Sequence, residues 1–257
     1  PSGYYDGFFD EELLSGVLEE FPDLAIEADL KFANVNEKKL ATNGEYKLGS
    51  KAKEFIRFMN SQPILDMLSE LTGIRDLIPD PTLLGGGYHE IKPGGFLKVH
   101  ADFNKHPVNK LDRRLNVLVY LNKDWSEDFG GFFELWNEDM TEAKTKILPL
   151  FNRMAMFSTT SKSYHGHPDQ LTCPEGRSRK SIALYYYTNG RPEEEVKEFL
   201  EDHSTIFRAR DGKDEKEETE VYFNRRLIKG EKDRKRMSQI KLIKSLVPPV
   251  LWNLMKK

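Results

Sequence analysis

Residues 83–103 read LLGGGYHEIKPGGFLKVHADF, and how this stretch is parsed decides the fold. Two short apolar runs flank a Pro-Gly-Gly turn, because proline presets one turn dihedral and glycine accepts the positive one that side chains resist. The same texture recurs in LNVLVYLN (115–122), FFELW (132–136), RMAMFST (153–159), SYHGH (163–167) and SIALYYYT (181–188). Short β-rich runs at close intervals, each bounded by turn residues, predict an antiparallel sandwich or barrel over residues 83–190.

Outward from this zone the texture changes. Residues 10–21 place Leu13, Leu14, Val17, Leu18 and Phe21 at helical spacing. Residues 52–71 do the same with Phe55, Ile56, Phe58, Met59, Ile64, Leu65, Leu68 and Leu71, and Thr72-Gly73 is a stop signal. The expected domain is therefore residues 1–190, with helical support over 1–82 and a β core over 83–190. Residues 191–257 form a charged, helix-patterned extension. Its last part is basic, with an apolar seam of Ile240, Leu242, Ile243, Leu246 and Val247. Such a stretch suits a membrane surface or a partner, but docking on its own domain or on a second subunit is the expectation, which admits a homodimer.

Bulk properties exclude several classes. A chain of 257 residues, 38% hydrophobic and 32% charged, buries a real core. A formal net charge of -3 gives no field that draws nucleic acid or an anionic membrane, so neither is an expected partner. The lone Cys173 rules out an internal disulfide and suits a reducing compartment. No run approaches the roughly 20 apolar residues of a membrane span. The opening PSGYYDGFFDEELL lacks a basic region leading into an apolar one, so a soluble, cytoplasmic protein is expected. No G-x-S-x-G nucleophile signature occurs, and Gly85-Gly86-Gly87 does not open a helix that could cradle phosphate.

His100 and Asp102 stand two apart on a strand pattern, so both point to one face. With a second histidine from another strand they make a two-histidine, one-carboxylate facial triad, an arrangement that favours non-haem Fe(II) and leaves positions open. His165 lies on a later run of the same β zone, but His167 shares its face, and either could reach the metal. His167 and Asp169 form a second such pair, whose only later histidine is His203 in the charged extension; this pair reads as coincidence.

Arg179 opens SIALYYYT and shares a face with Ser181, Ala183, Tyr185 and Tyr187. An inward arginine among aromatics is costly unless it meets an anion, and its planar fork suits a carboxylate. The alternative is an internal salt bridge to Glu134 or Asp112. His89 reads as a packed or hydrogen-bonded histidine, His106 as an exposed loop residue that could border the site, and Phe133 and Trp136 as core or wall.

Taken in order, Gly94-Gly95-Phe96, His100-Ala101-Asp102, Arg113, Tyr120-Leu121-Asn122, Gly130-Gly131, His165 and Arg179-Lys180-Ser181 resemble the prolyl-4-hydroxylase-like branch of the Fe(II)/2-oxoglutarate dioxygenases. The likeness covers about residues 84–188. It implies a double-stranded β-helix, or jelly roll, backed by N-terminal helices, a mainly β core with flanking helices (α+β). It implies Fe(II) on His100, Asp102 and His165, the family pattern selecting His165 over His167. It further implies 2-oxoglutarate on Arg179 with help from Ser181 and Tyr120, ascorbate as a possible further requirement, and a substrate contact at Arg113, for which a salt bridge is the alternative. The implied reaction hydroxylates an unactivated C–H bond while O2 and 2-oxoglutarate yield succinate and CO2. The substrate is either a small metabolite or a peptidyl residue such as proline. One departure is Lys92, which stands where some prolyl hydroxylases carry a tyrosine facing the co-substrate; Tyr88 or the Tyr185–Tyr187 run could replace it. The rival reading is a catalytically inactive jelly-roll binding module.

Overall fold

Alternation along LNVLVY sorts its side chains between two layers. Leu115, Val117 and Val119 pack on one side with Ile182, Leu184, Tyr186, Met154 and Met156. Leu118 and Tyr120 turn the other way, towards Phe133, Ala155 and Phe157. The period-2 geometry of a strand produces this division wherever both faces are covered.

The computed structural model describes residues 1–196 and 202–214, and Pro1–Asp214 is one compact unit. Its strands are β1 (Ser2–Asp6), β2 (Leu30–Ala33), β3 (Glu37–Ala41), β4 (Ile78–Pro79), β5 (Gly87–Ile91), β6 (Phe96–Ala101) and β7 (Asp112–Tyr120). They continue with β8 (Phe133–Trp136), β9 (Ala143–Ile147), β10 (Arg153–Ser158), β11 (His165–His167), β12 (Arg179–Thr188) and β13 (Ile206–Phe207). The helices are α1 (Glu11–Glu19), α2 (Leu24–Glu27), α3 (Ser50–Met59), α4 (Gln62–Thr72) and α5 (Glu193–Val196).

All strand pairs among the described residues are antiparallel, in the order β1-β10-β7-β12-β5-β3-β6-β11-β8-β9, with β2 on β3, β4 on β12 and β13 on β6. The sheet rolls upon itself, so residues of β3, β5, β6, β7, β8, β10, β11 and β12 line one interior cavity. This is the expected jelly roll. Leu14 and Val17 of α1, Phe55 and Met59 of α3 and Leu65 and Leu68 of α4 cover its outer face.

The helical periodicity over 52–71 resolves into two helices rather than one. Pro63 lies in the first turn of α4, where its missing N–H is tolerated. Inside a continuous helix the same proline would lose its bond to the carbonyl four residues back. That carbonyl, on Met59, instead accepts from the Tyr186 hydroxyl at 3.1 Å. Gly73 ends α4 in the left-handed region at φ 74°, as the Thr-Gly signal predicts.

The segment 202–214 belongs to the compact unit although it lies beyond residue 190. Its strand β13 sets Phe207 opposite His100 and Ile206 opposite Ala101. Arg210 ties it down through Asp169 (2.7 Å) and Asp214 (2.9 Å). Arg210→Ala is expected to speed amide exchange at Arg208, whose N–H donates to the Val99 carbonyl, and to leave β7 amides unchanged. Equal protection in both proteins would show that the anchor is elsewhere. The basic seam of residues 240–247 lies outside the described residues. No helix among the described residues is long and apolar enough to cross a membrane.

Candidate metal centre and adjoining cavity

His100 is the next-to-last residue of β6, and Asp102 directly follows Ala101 at its end, so strand alternation turns both towards the interior. Antiparallel pairing of β11 with β6 puts His165 opposite His100. One ligand atom from each of His100, Asp102 and His165 falls within 4.8 Å of the others. The imidazole rings sit 4.3 Å apart.

Each ring is oriented from behind. His100 Nδ1 donates to the Lys98 carbonyl at 2.9 Å, and His165 Nδ1 donates to the Ser163 carbonyl at 2.8 Å. A carbonyl only accepts, so both protons sit on Nδ1 and both Nε2 lone pairs face Asp102. Burial, and then the neighbouring His100, pull the His165 pKa below its ordinary value and keep that lone pair free. Phe157 (4.4 Å) and Phe133 (5.8 Å) wall in His165, and Phe207 (5.4 Å) walls in His100.

Asp102 is pinned through one oxygen. Asn116 Nδ2 donates to Oδ2 at 2.7 Å, and Arg113 Nη2 forms an ion pair with the same oxygen at 2.9 Å. Oδ1 is left to face His100 Nε2 at 3.6 Å. Burial resists ionisation of Asp102, but Arg113 foremost and then the histidines outweigh it, and the carboxyl lies well below the usual carboxylate range. The three donors are thus two imidazoles and an ionised carboxylate, the set that suits Fe(II).

Arg113 is 1% exposed, and Tyr185 (3.6 Å) and Phe103 (4.4 Å) stack on its guanidinium. It therefore forms a salt bridge, the alternative to a substrate contact that the sequence left open. Removing one member of a buried pair strands the other. Arg113→Leu is expected to lower the stability of the metal-free protein by about 3–5 kcal/mol. Urea denaturation measures this, and a loss below about 1 kcal/mol would show the pair is not needed.

Arg179, 3% exposed, lines the same cavity as Ser181. Its Nε donates to the Gly131 carbonyl at 2.8 Å and its Nη2 to the Tyr120 hydroxyl at 3.3 Å. It pairs with neither carboxylate proposed from sequence, since Glu134 meets Lys146 at 2.8 Å and Asp112 meets Lys105 at 3.9 Å. No carboxylate among the described residues forms an ion pair with it. Burial accordingly pulls its pKa down, with only Tyr120 opposing. A buried guanidinium without an anion, lining a cavity beside a metal-type donor set, fits a ligand carboxylate. Gly131 allows this approach, because at φ 73° a Cβ would sit 2.9 Å from Arg179 Cδ.

Other residues fall out as follows. His167 lines the cavity but is not among the converging ligands, while Asp169 is exposed on Arg210, so the second histidine-aspartate pair diverges. His203 bonds Ser161 Oγ at 2.9 Å. His106 was expected to be exposed but is 2% exposed; its Nδ1 accepts from the Val108 and Asn109 amides, which folds the loop over the ring. His89 donates to the Gly85 carbonyl at 3.0 Å, and burial drives its pKa down to about 3. Tyr185 is the member of the tyrosine run that reaches the cavity, whereas Tyr88 bonds Val17 among the helices and Lys92 pairs with Glu90.

Sequence reasoning missed Asn116 and Phe207. A polar residue on the inward face of LNVLVY is the signal for Asn116, since an amide buried there needs partners. Phe207 carries no such signal, because only the return of the chain onto β6 brings it to His100.

Residues 86–187 match the sequence model of the 2OG-Fe(II) oxygenase superfamily. Among curated protein sequences none matches the chain. In structure the chain is similar to a Pseudomonas putida prolyl-4-hydroxylase, with 14% identity and a TM-score of 0.54 over 74% of this chain and 93% of that one. It is also similar to a prolyl hydroxylase from Trichoplax adhaerens, solved with a peptide fragment of the hypoxia inducible factor oxygen degradation domain. That likeness has 20% identity and a TM-score of 0.52, over 72% of this chain and 83% of that one. At these identities the likeness to solved structures concerns the fold.

Proposed function

We propose that the chain, whose residues 86–187 match the model of the 2OG-Fe(II) oxygenase superfamily, is a 2-oxoglutarate-dependent dioxygenase that hydroxylates an unactivated C–H bond, with His100, Asp102 and His165 as iron ligands and Arg179 as the holder of 2-oxoglutarate. The observation that carries this reading is the pairing, in one cavity, of three converging donors with a buried arginine that has no carboxylate partner among the described residues.

Bound there, iron and 2-oxoglutarate would supply the oxidising power for a reaction in which one oxygen atom of O2 enters the substrate and the other enters succinate as CO2 leaves. The protein's own residues orient and enclose. His100 and His165 present Nε2 because Lys98 and Ser163 hold their Nδ1 protons. Asn116 and Arg113 hold Asp102 so that one oxygen stays available. Arg179 binds the far carboxylate of the co-substrate, with Ser181 beside it on β12 and Tyr120 bracing the guanidinium. Phe133 and Phe157 keep the cavity dry, which strengthens each of these electrostatic contacts.

The substrate is a small metabolite or a peptidyl residue such as proline. Arg113 is buried on Asp102 and is not among the residues that line the cavity. Incubation with Fe(II), 2-oxoglutarate and pools of metabolites or peptides tests the reading: a substrate gains one oxygen in mass while succinate accumulates. A protein that retains no iron and forms no succinate with any pool would instead be the inactive binding module.

A further inference from the structure

The cavity contains one histidine that the chemistry above does not use. His167 lies on β11 opposite Leu97 of β6, two residues past His165. It is 4% exposed, and neither ring nitrogen has a hydrogen-bond partner among the described residues. An unpaired buried polar group costs about 1–3 kcal/mol, so a side chain kept this way in a cavity wall points to a ligand that bonds it.

The strand register shows which end of the cavity His167 serves. Leu97 lies opposite His167 and Ile91 lies opposite Arg179, and all four residues line the one cavity, with Lys39 of the intervening β3 between the two pairs. Whatever its tautomer, an imidazole carries at least one N–H. Arg179 has meanwhile committed Nε to Gly131 and part of Nη2 to Tyr120. A carboxylate docked on the remaining edge of that fork keeps acceptor sites unfilled, since its two oxygens carry about four lone-pair sites.

We infer that His167 is a second recognition residue for the co-substrate, its ring N–H donating to the same distal carboxylate that Arg179 holds. The inference rests on the assignment of Arg179 in the proposed function and adds a second donor to it. It places a polar group where an apolar one would serve the folded protein better, so His167 trades stability of the ligand-free protein for co-substrate affinity.

The test uses His167→Leu, which removes both nitrogens at similar volume, and His167→Gln, which restores an N–H. Four quantities are read: Tm of the metal-free protein, Mn(II) affinity, and the affinity of the Mn(II)-loaded protein for 2-oxoglutarate and for 2-oxobutyrate. The last is a keto acid without the distal carboxylate. For His167→Leu, Tm is expected to rise and Mn(II) affinity to stay within about twofold, while 2-oxoglutarate affinity falls about tenfold and 2-oxobutyrate affinity does not change. His167→Gln recovers part of the loss. Unchanged 2-oxoglutarate affinity, an equal loss for both keto acids, or a fall in Mn(II) affinity would each overturn the inference. Arg179→Gln, measured alongside, separates the two assignments. If it binds 2-oxoglutarate as the unaltered protein does, the assignment of Arg179 falls and this inference with it. If only His167→Leu is silent, this inference alone falls.

Discussion

Asp102→Ala is expected to reduce succinate formation by at least about 10³-fold, because a bound metal contributes several kcal/mol to the reaction and each 1.4 kcal/mol is a factor of ten. Asp102 is the anionic member of the converging set, and its loss leaves two imidazoles to hold a divalent ion. The substitution also strands the buried Arg113, so the variant protein should be less stable. A drop in turnover could then reflect unfolding alone. The double variant Asp102→Ala, Arg113→Leu resolves this: removing both charges should restore much of the stability and none of the turnover. Turnover that returned together with stability would remove Asp102 from the metal centre.

Arg179→Gln is expected to weaken 2-oxoglutarate binding about 100-fold, the loss of a charge-assisted carboxylate contact of roughly 3 kcal/mol. The effect should fall on KM for 2-oxoglutarate more than on kcat, since the proposal puts Arg179 at the end of the co-substrate remote from the reacting atoms. Metal affinity should be unchanged, because Arg179 is not among the converging ligands. Glutamine keeps a donor and much of the length, so Tyr120 and the Gly131 carbonyl retain a partner. A 2-oxoglutarate KM within about twofold of the unaltered enzyme would assign the buried guanidinium a structural role.

The parts of this account that were legible in the sequence are those carried by short-range geometry. Alternation alone places Leu115, Val117 and Val119 against the helices and Leu118 and Tyr120 towards the interior. The same period brings His100 and Asp102 to one face, and sets Arg179, Ser181 and Tyr185 along one wall. What alternation cannot supply is which distant strand arrives opposite. The choice between His165 and His167 depended on the register of β11 against β6, and residue spacing within β11 does not contain it. Phe207 reaches His100 only through a chain return of about a hundred residues. The burial of His106 follows from a loop closing over its ring through two amides, and polar residues around it gave the opposite expectation. The break between α3 and α4 was readable in principle, because Pro63 cannot continue a helix, but the apolar periodicity runs through it unbroken.

The role of Arg113 changes what the fold says about the substrate. Arg113, for which a substrate contact and a salt bridge were both open, is the counter-ion of Asp102 and packs against Tyr185 and Phe103. Mass-gain screening addresses substrate selectivity directly.

The central claim is that His100, Asp102 and His165 hold the metal and that Arg179 holds the co-substrate beside it. Anaerobic calorimetric titration with Mn(II) followed by 2-oxoglutarate tests both halves in one experiment. The account predicts one metal ion per chain, lost in Asp102→Ala, and one 2-oxoglutarate whose tight binding requires that metal. A protein that binds no metal, or whose 2-oxoglutarate affinity is the same with and without it, would contradict the claim.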